Sequence, residues 1–206
     1  IAYGYGNVPA ELVEAAGIAL PHIDFGGGLG IAYNGETPPA ADALCQQILA
    51  LLDARGMGQR QLVFEPGRSL VGNAGVCVTE VLYLKHGQSK NFCIVDAAMN
   101  DLPRPAMYQA YHQIVPLEQS AAAQASTYDV VGPVCESGDW LGNERRLSVQ
   151  QGDLLAVMSA GAYCMSMASN YNSRARAAEV LVADGQVHLI GEREPFAALV
   201  QRERML

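Results

Sequence analysis

Lysine is nearly missing from this sequence: Lys85 and Lys90 are the only two, and 13 basic residues face 21 acidic ones for a formal charge of -8. With no Lys/Arg run anywhere, the electrostatic footprint of a nucleic-acid binder is absent, so no nucleic acid partner is expected. A small anionic ligand would have to be met by single arginines. No window approaches the roughly 18 apolar residues of a membrane span, and Ile1-Ala2-Tyr3-Gly4 has neither part of a secretion signal, so no membrane partner is expected. The five cysteines, at 45, 77, 93, 135 and 164, include no C-x-x-C pair and no histidine placed to complete a zinc site. Free thiols, no metal and a cytoplasmic location are therefore expected. His22, His86, His112 and His188 share no motif and read as structural or surface residues, and no Ser-His-Asp set is recoverable. Internal repeats are lacking, Ala121-Ala122-Ala123 reads as a surface loop, and the missing initiator methionine suggests a fragment.

Half of the chain's 206 residues are apolar, enough for one ordinary core or two small ones. Leu12, Val13, Ala16 and Ile18 recur at near-helical spacing over residues 9–19, and Pro21 to Phe25 reads as a short buried strand running into Gly26-Gly27-Gly28. The same order repeats: a helix over 38–55 with Leu44, Ile48, Leu51 and Leu52, then a strand from Gln61 to Glu65. Two successive αβ steps predict parallel strands. Beyond Arg68 the texture is β. Strands are predicted over 76–84, 91–95, 127–131, 146–149, 154–157, 179–182 and 186–190, with a hairpin turn at Lys85 to Lys90 and another at Asp184-Gly185. One helix is predicted over Ala162 to Asn170, and the domain boundary falls between residues 69 and 76.

Three segments carry chemistry. Gly26 to Gly28 after a strand is either a plain turn or a place where backbone N–H groups meet a phosphate; Gly67 and Arg68, at the end of the next strand, would face the same mouth. Arg68 and Arg104 are either surface ion-pair partners or clamps for carboxylates, and Pro103 and Pro105 give Arg104 a rigid setting ahead of Tyr108. In Gly132-Pro133-Val134-Cys135-Glu136-Ser137-Gly138-Asp139 a thiol and a carboxylate share a tight loop. An adjacent acid raises a thiol's pKa, so Cys135 is not read as a nucleophile but as either inert or a neutral proton donor. Glu136 could bind an ammonium or simply be solvated, and Tyr163 is either a phosphate donor or an ordinary half-buried aromatic.

Taken together, His22 to Ile31, Glu65-Pro66-Gly67-Arg68, Asp101 to Tyr108, Gly132 to Asp139 and Asn170 to Val182 resemble the diaminopimelate decarboxylase family over nearly the whole chain. The resemblance implies a fold-type III pyridoxal 5'-phosphate protein. The chain would be its C-terminal half: residues 1–72 the last strands of an alanine-racemase-like (β/α)8 barrel, and 73–206 a mainly antiparallel β-barrel domain with a helix returning to the barrel. It implies decarboxylation of meso-2,6-diaminopimelate to L-lysine by a homodimer with a composite active site. In that reading Gly26, Gly27, Gly28, Glu65, Gly67, Arg68 and Tyr163 hold the cofactor; Arg68, Arg104, Tyr108, Glu136 and Tyr163 bind substrate; Cys135 donates the proton across the dimer.

The chain departs from the family in one respect that matters. The family's cofactor-bonding lysine and the histidine that stacks on the cofactor belong to earlier strands, and nothing here matches either; the chain alone is expected to be inactive. Competing readings are an ornithine or arginine decarboxylase of the same fold, which usually carries a shorter acid after the cysteine, an amino-acid racemase, which would need a catalytic tyrosine in place of this loop, and a regulatory relative that has lost its lysine half.

Overall fold

The computed structural model describes residues 10–118 and 124–204, so the Ala121 to Ala123 loop lies outside the described residues. Contacts divide the chain into two compact units, residues 1–31 with 37–70 and residues 32–36 with 71–206.

In the first unit, α1 (Ala10–Ala15) precedes β1 (His22–Asp24), α2 (Ala41–Asp53) precedes β2 (Gln61–Val63), and α3 (Gly67–Val71) follows. The first helix stops at Ala15 rather than Ala19 because Gly17 takes φ 82°, closing the end with Gly17 N–H on the Glu14 carbonyl at 2.9 Å and Ile18 N–H on that of Val13 at 3.3 Å. β1 and β2 are parallel, with Ile23 opposite Leu62. Leu44, Ile48 and Leu52, each four residues apart on α2, form the stripe that covers them, and Phe25 stacks on Phe64 at 5.7 Å.

The second unit contains β3 (Cys77–His86), β4 (Asn91–Val95), α4 (Arg104–Tyr108), β5 (Ile114–Pro116), β6 (Ser126–Val131), β7 (Trp140–Leu147), β8 (Leu154–Val157), β9 (Glu179–Ala183), β10 (Gln186–Gly191) and α5 (Phe196–Val200). Six of these strands make one sheet in the order β5-β8-β3-β4-β6-β7. Every pairing is antiparallel except β4 with β6, where Cys93 lies opposite Val130. Val81, Val95, Val130, Leu141, Leu155 and Val157 all have 0% exposure, so the inner face is a continuous core to which each of the five longer strands contributes. The sheet curls until its edges meet: a Cβ on Gly142 of β7 would lie 2.9 Å from Ile114 Cδ1 of β5, giving a nearly closed, barrel-like sheet. The β9–β10 hairpin turns at Asp184 and Gly185, with φ 52° and 72°, the left-handed pair that an Asp-Gly hairpin demands.

Three expectations are corrected. The strand expected over 146–149 spans Trp140–Leu147, and β5, only Ile114–Pro116, has no counterpart among the expected strands. The helix over Ala162 to Asn170 does not form; the segment holds only a 3-10 turn, Met165–Met167. Its start is fixed from outside: Ala160 and Gly161 N–H groups bind the carbonyls of Gly75 and Gly72 at 2.8 and 3.0 Å, and Cys164 Sγ donates to the Asp101 carbonyl at 3.3 Å. Tyr163 is thereby held at φ 61°, and a helix cannot propagate through a left-handed residue.

Gly161 allows this crossing because a Cβ there would fall 1.9 Å from the Val71 carbonyl oxygen. Gly161→Ala should therefore destabilise the chain by about 1–3 kcal/mol through backbone displacement, read as a lower urea midpoint; an unchanged midpoint would show that the crossing is slack.

Candidate active site

The site residues fall in two groups, one in each unit. In the first unit both chemistry-bearing turns leave the carboxyl ends of the paired strands β1 and β2. Phe25 N–H binds the Val63 carbonyl at 2.9 Å and Glu65 N–H that of Gly26 at 2.7 Å, so the glycine turn and the Glu65-Pro66-Gly67-Arg68 turn are hydrogen-bonded side by side. The three glycines are required for different reasons. Gly26 and Gly28 have φ 64° and 98°, whereas at Gly27 a Cβ would lie 2.6 Å from the Glu65 carbonyl oxygen. Asp24 Oδ1 already takes the Gly26 N–H at 2.7 Å, which leaves the N–H groups of Gly27 and Gly28 without partners among the described residues. Space beside Gly28 is open to 4 Å. Gly67 opens α3 with its N–H on the Glu65 carbonyl at 2.9 Å, and Arg68 follows half-buried.

These residues fit the phosphate end of a pyridoxal cofactor: two free N–H groups, an open approach without side chains, and an arginine. They do not fit its aldehyde end, which needs a neutral amine. Lys90 Nζ donates to Asp129 Oδ2 at 2.7 Å, and this bond raises its pKa and keeps it an ammonium; Lys85 is exposed on β3.

In the second unit Arg104 is 8% exposed and sits at the start of α4 between Pro103 and Pro105. Its Nη1 donates to Tyr33 Oη at 2.7 Å and to His112 Nε2 at 3.2 Å, and its guanidinium carbon lies 5.0 Å from the Tyr33 ring centre and 5.7 Å from that of Tyr163. Tyr108, one turn further along α4, is 60% exposed. Sequence reasoning singled out Arg104, Tyr108 and Tyr163 but missed Tyr33 and took His112 for a structural residue.

The Gly132 to Asp139 loop presents Cys135 and Glu136 to solvent. Its anchor is Asp139, 4% exposed, whose carboxylate accepts the N–H groups of Met99 and Val134, each at 2.7 Å. A Cβ on Gly132 would lie 2.4 Å from that carboxylate, so the glycine makes room for the anchor. Tyr171 Oη donates to Glu136 Oε2 at 3.2 Å, and the carboxylate pushes the phenol's pKa up. Neither Asp139 nor Tyr171 carries a role in the sequence pattern, although both lie in segments that carry the family resemblance. Among the described residues no hydrogen bond or ion pair joins the Arg104 cluster to the Glu136 cluster.

The second unit carries a thiol and a carboxylate on one anchored loop, and the first carries paired glycine and Glu-Pro-Gly-Arg turns. Residues 13–161 match the family described as pyridoxal-dependent decarboxylase, C-terminal sheet domain, and the chain belongs to it. Within that family it is 49% identical over 196 residues to a diaminopimelate decarboxylase of Vibrio cholerae serotype O1, covering 95% of this chain and 46% of that protein. The structure of Helicobacter pylori diaminopimelate decarboxylase complexed with L-lysine superposes with a TM-score of 0.84 at 39% identity, over 94% of this chain and 47% of that one. A Vibrio vulnificus lysine/ornithine decarboxylase complexed with cadaverine shares the fold at TM-score 0.67 and 23% identity, over 81% of this chain and 45% of that one. The chain spans about half the length of the curated relatives it matches.

Two outcomes are expected from these contacts. Asp139→Ala strands two partly buried N–H groups and should cost about 1–3 kcal/mol in urea unfolding, with faster alkylation of Cys135 as the loop loosens; unchanged stability and thiol reactivity would remove Asp139 as the anchor. Burial first, then the charges of Arg104 and Arg145, hold His112 below its ordinary 6.5. The unfolded chain then binds a proton that the folded chain refuses, so stability should be full above 6.5 and fall as pH drops below it. The urea midpoint followed from pH 7.5 to 5 checks this, and His112→Gln should flatten that part of the curve.

Proposed function

We propose that this chain is the C-terminal half of a cytoplasmic enzyme that decarboxylates meso-2,6-diaminopimelate to L-lysine and carbon dioxide, with its residues 1–72 completing a (β/α)8 barrel and 73–206 forming the β-domain. The observation that carries the reading is the buried Arg104 with donors left over for a carboxylate, in a chain whose relatives near 50% identity are diaminopimelate decarboxylases.

Gly27, Gly28 and Arg68 would hold the phosphate of the cofactor, with Gly26, Glu65 and Gly67 shaping the turns and Tyr163 bordering it. Pyridoxal phosphate, when bound, supplies an electron sink for the pair left by departing carbon dioxide. This chain's residues do the rest. Arg104, with Arg68 and Tyr108, grips carboxylates through planar paired donors; Glu136, steadied by Tyr171, meets the distal ammonium; and Cys135, exposed on the same loop, delivers a proton to the reacting carbon. Cys135 and Glu136 would reach the site of the opposite subunit, so the homodimer is part of the mechanism. Selection of a long diamino diacid follows, because a shorter amino acid would leave Arg104 or Glu136 facing no partner.

The ornithine-type reading has less support: 23% identity to the lysine/ornithine enzyme against 49% to the diaminopimelate enzyme. The deciding experiment mixes this chain with the lysine-bearing upstream half of a close relative, adds pyridoxal phosphate, and follows both cofactor absorbance and carbon dioxide release from meso-diaminopimelate and, separately, ornithine. Activity only in the mixture, selective for diaminopimelate and reduced at least about 100-fold by Cys135→Ala, is expected. Turnover by this chain alone would restore Lys85 or Lys90 as the amine, and preference for ornithine would reassign the substrate.

A further inference from the structure

A buried guanidinium has to be matched donor by donor, and the pattern of matching around Arg104 is asymmetric. Both Nη1 hydrogens are engaged, one by Tyr33 Oη at 2.7 Å and one by His112 Nε2 at 3.2 Å. The Nε and Nη2 groups have no partner among the described residues and, unlike Arg145 Nε, are not sealed from water. Those two groups lie along one edge of the planar ion, with the spacing that suits the two oxygens of a carboxylate.

The asymmetry has a source. Met158, just after β8, offers its carbonyl to His112 Nδ1 at 2.9 Å, and a carbonyl only accepts, so Nδ1 carries the proton. A guanidinium only donates, so Nε2 must present its lone pair. The ring is left with one tautomer and no freedom to turn: it is 0% exposed and stands edge-on to Tyr33 at 5.2 Å and 77°. The charged groups that bear on it are Arg104 and Arg145, and neither favours an imidazolium.

We propose that His112 is a positioning residue for substrate recognition, which, fixed as the Nδ1–H tautomer by the Met158 carbonyl, ties down Arg104 Nη1 so that the Nε–Nη2 edge faces a substrate carboxylate. This rests on the reading of Arg104 as a carboxylate partner. His112 does not touch substrate; it sets the rotation of the group that does.

The test separates the two layers. On the 206-residue chain, long-range proton–nitrogen spectra of labelled histidine and arginine should show His112 as the Nδ1–H tautomer at pH 7 and slowly exchanging, resolved Nη signals for Arg104. His112→Phe should collapse the Arg104 signals, and His112→Gln, whose amide oxygen can replace the Nε2 lone pair, should restore them. An Nε2–H tautomer, or Arg104 signals indifferent to His112→Phe, would overturn the proposal whatever Arg104 does. In the assembled enzyme, His112→Phe should raise KM for meso-diaminopimelate about tenfold with a smaller effect on kcat, and His112→Gln should recover most of it. Equal loss of kcat with unchanged KM would also overturn it. Arg104→Lys, measured in parallel, reports on the underlying reading: an unchanged KM there would show that Arg104 does not meet the substrate, even if the histidine holds it in place.

Discussion

An arginine drawn largely out of water needs fixed partners for the donors that water does not reach, and for Arg104 the second unit supplies them on the Nη1 side. A hydrogen bond to a charged group contributes about 1.5–3 kcal/mol where water is largely excluded, whereas a pair such as Lys90 with Asp129, its lysine 58% exposed, is weakened by solvent. The elements that supply the partners are therefore under the tighter constraint. Tyr33 comes from residues 32–36, an excursion that belongs to the second unit although the chain on either side belongs to the first. Asn73 secures that excursion by donating to the Ala32 carbonyl at 3.0 Å and to Ser159 Oγ at 2.7 Å. His112 lies between α4 and β5, and Met158 follows β8 directly. Two separate stretches of chain are thus tied to Arg104 directly, and a third, at Met158, through His112.

The Cys135 loop is built on the opposite plan. Its anchor, Asp139, is buried and accepts two backbone N–H groups, while Cys135 and Glu136 face solvent. Tyr171 adds a weak external brace through a 3.2 Å bond to an exposed carboxylate, a contact that solvent competes with. A stiff base with free side chains would suit the proposed reach of Cys135 and Glu136 into the site of an opposite subunit. The Arg104 cluster, locked on its Nη1 side and open on the other, suits a ligand that arrives.

Much of this was legible in the sequence, and the reasons differ by element. The glycine and Glu-Pro-Gly-Arg turns, the parallel β1–β2 pair and the Asp184-Gly185 hairpin follow from local chemistry, because few residue types satisfy left-handed φ values or close backbone approach. Arg104 was recognisable from the prolines beside it. β7 was placed too far along the chain because Gly142, Asn143 and Glu144 carry no strand pattern, while in the fold Arg145 lies 4.0 Å over the Tyr111 ring. The helix over 162–170 failed for a cause that no local pattern contains: Gly161 is gripped by the Gly72–Gly75 segment, some ninety residues earlier in the chain. His112, Tyr33 and Asp139 were missed for the same reason, since each acts only through partners distant in sequence or, for Asp139, through a loop whose closed shape had to be known first.

Composition also decides how the chemistry is divided. A net charge of -8 repels a diacid, and with only two lysines there is no diffuse positive field to offset it. Screening confines that repulsion to about 8 Å at physiological salt, so the proposed capture would depend on single arginines at contact range rather than on the chain's overall charge. At contact an arginine with a locked orientation does better than a mobile lysine, because less side-chain freedom is lost for each hydrogen bond formed. The same scarcity of lysine removes the amine that a pyridoxal aldehyde requires: Lys90 is held as an ammonium by Asp129. On the proposed reading this chain would contribute anion recognition, proton delivery and shape, and neither of its two lysines would anchor the electron-withdrawing chemistry.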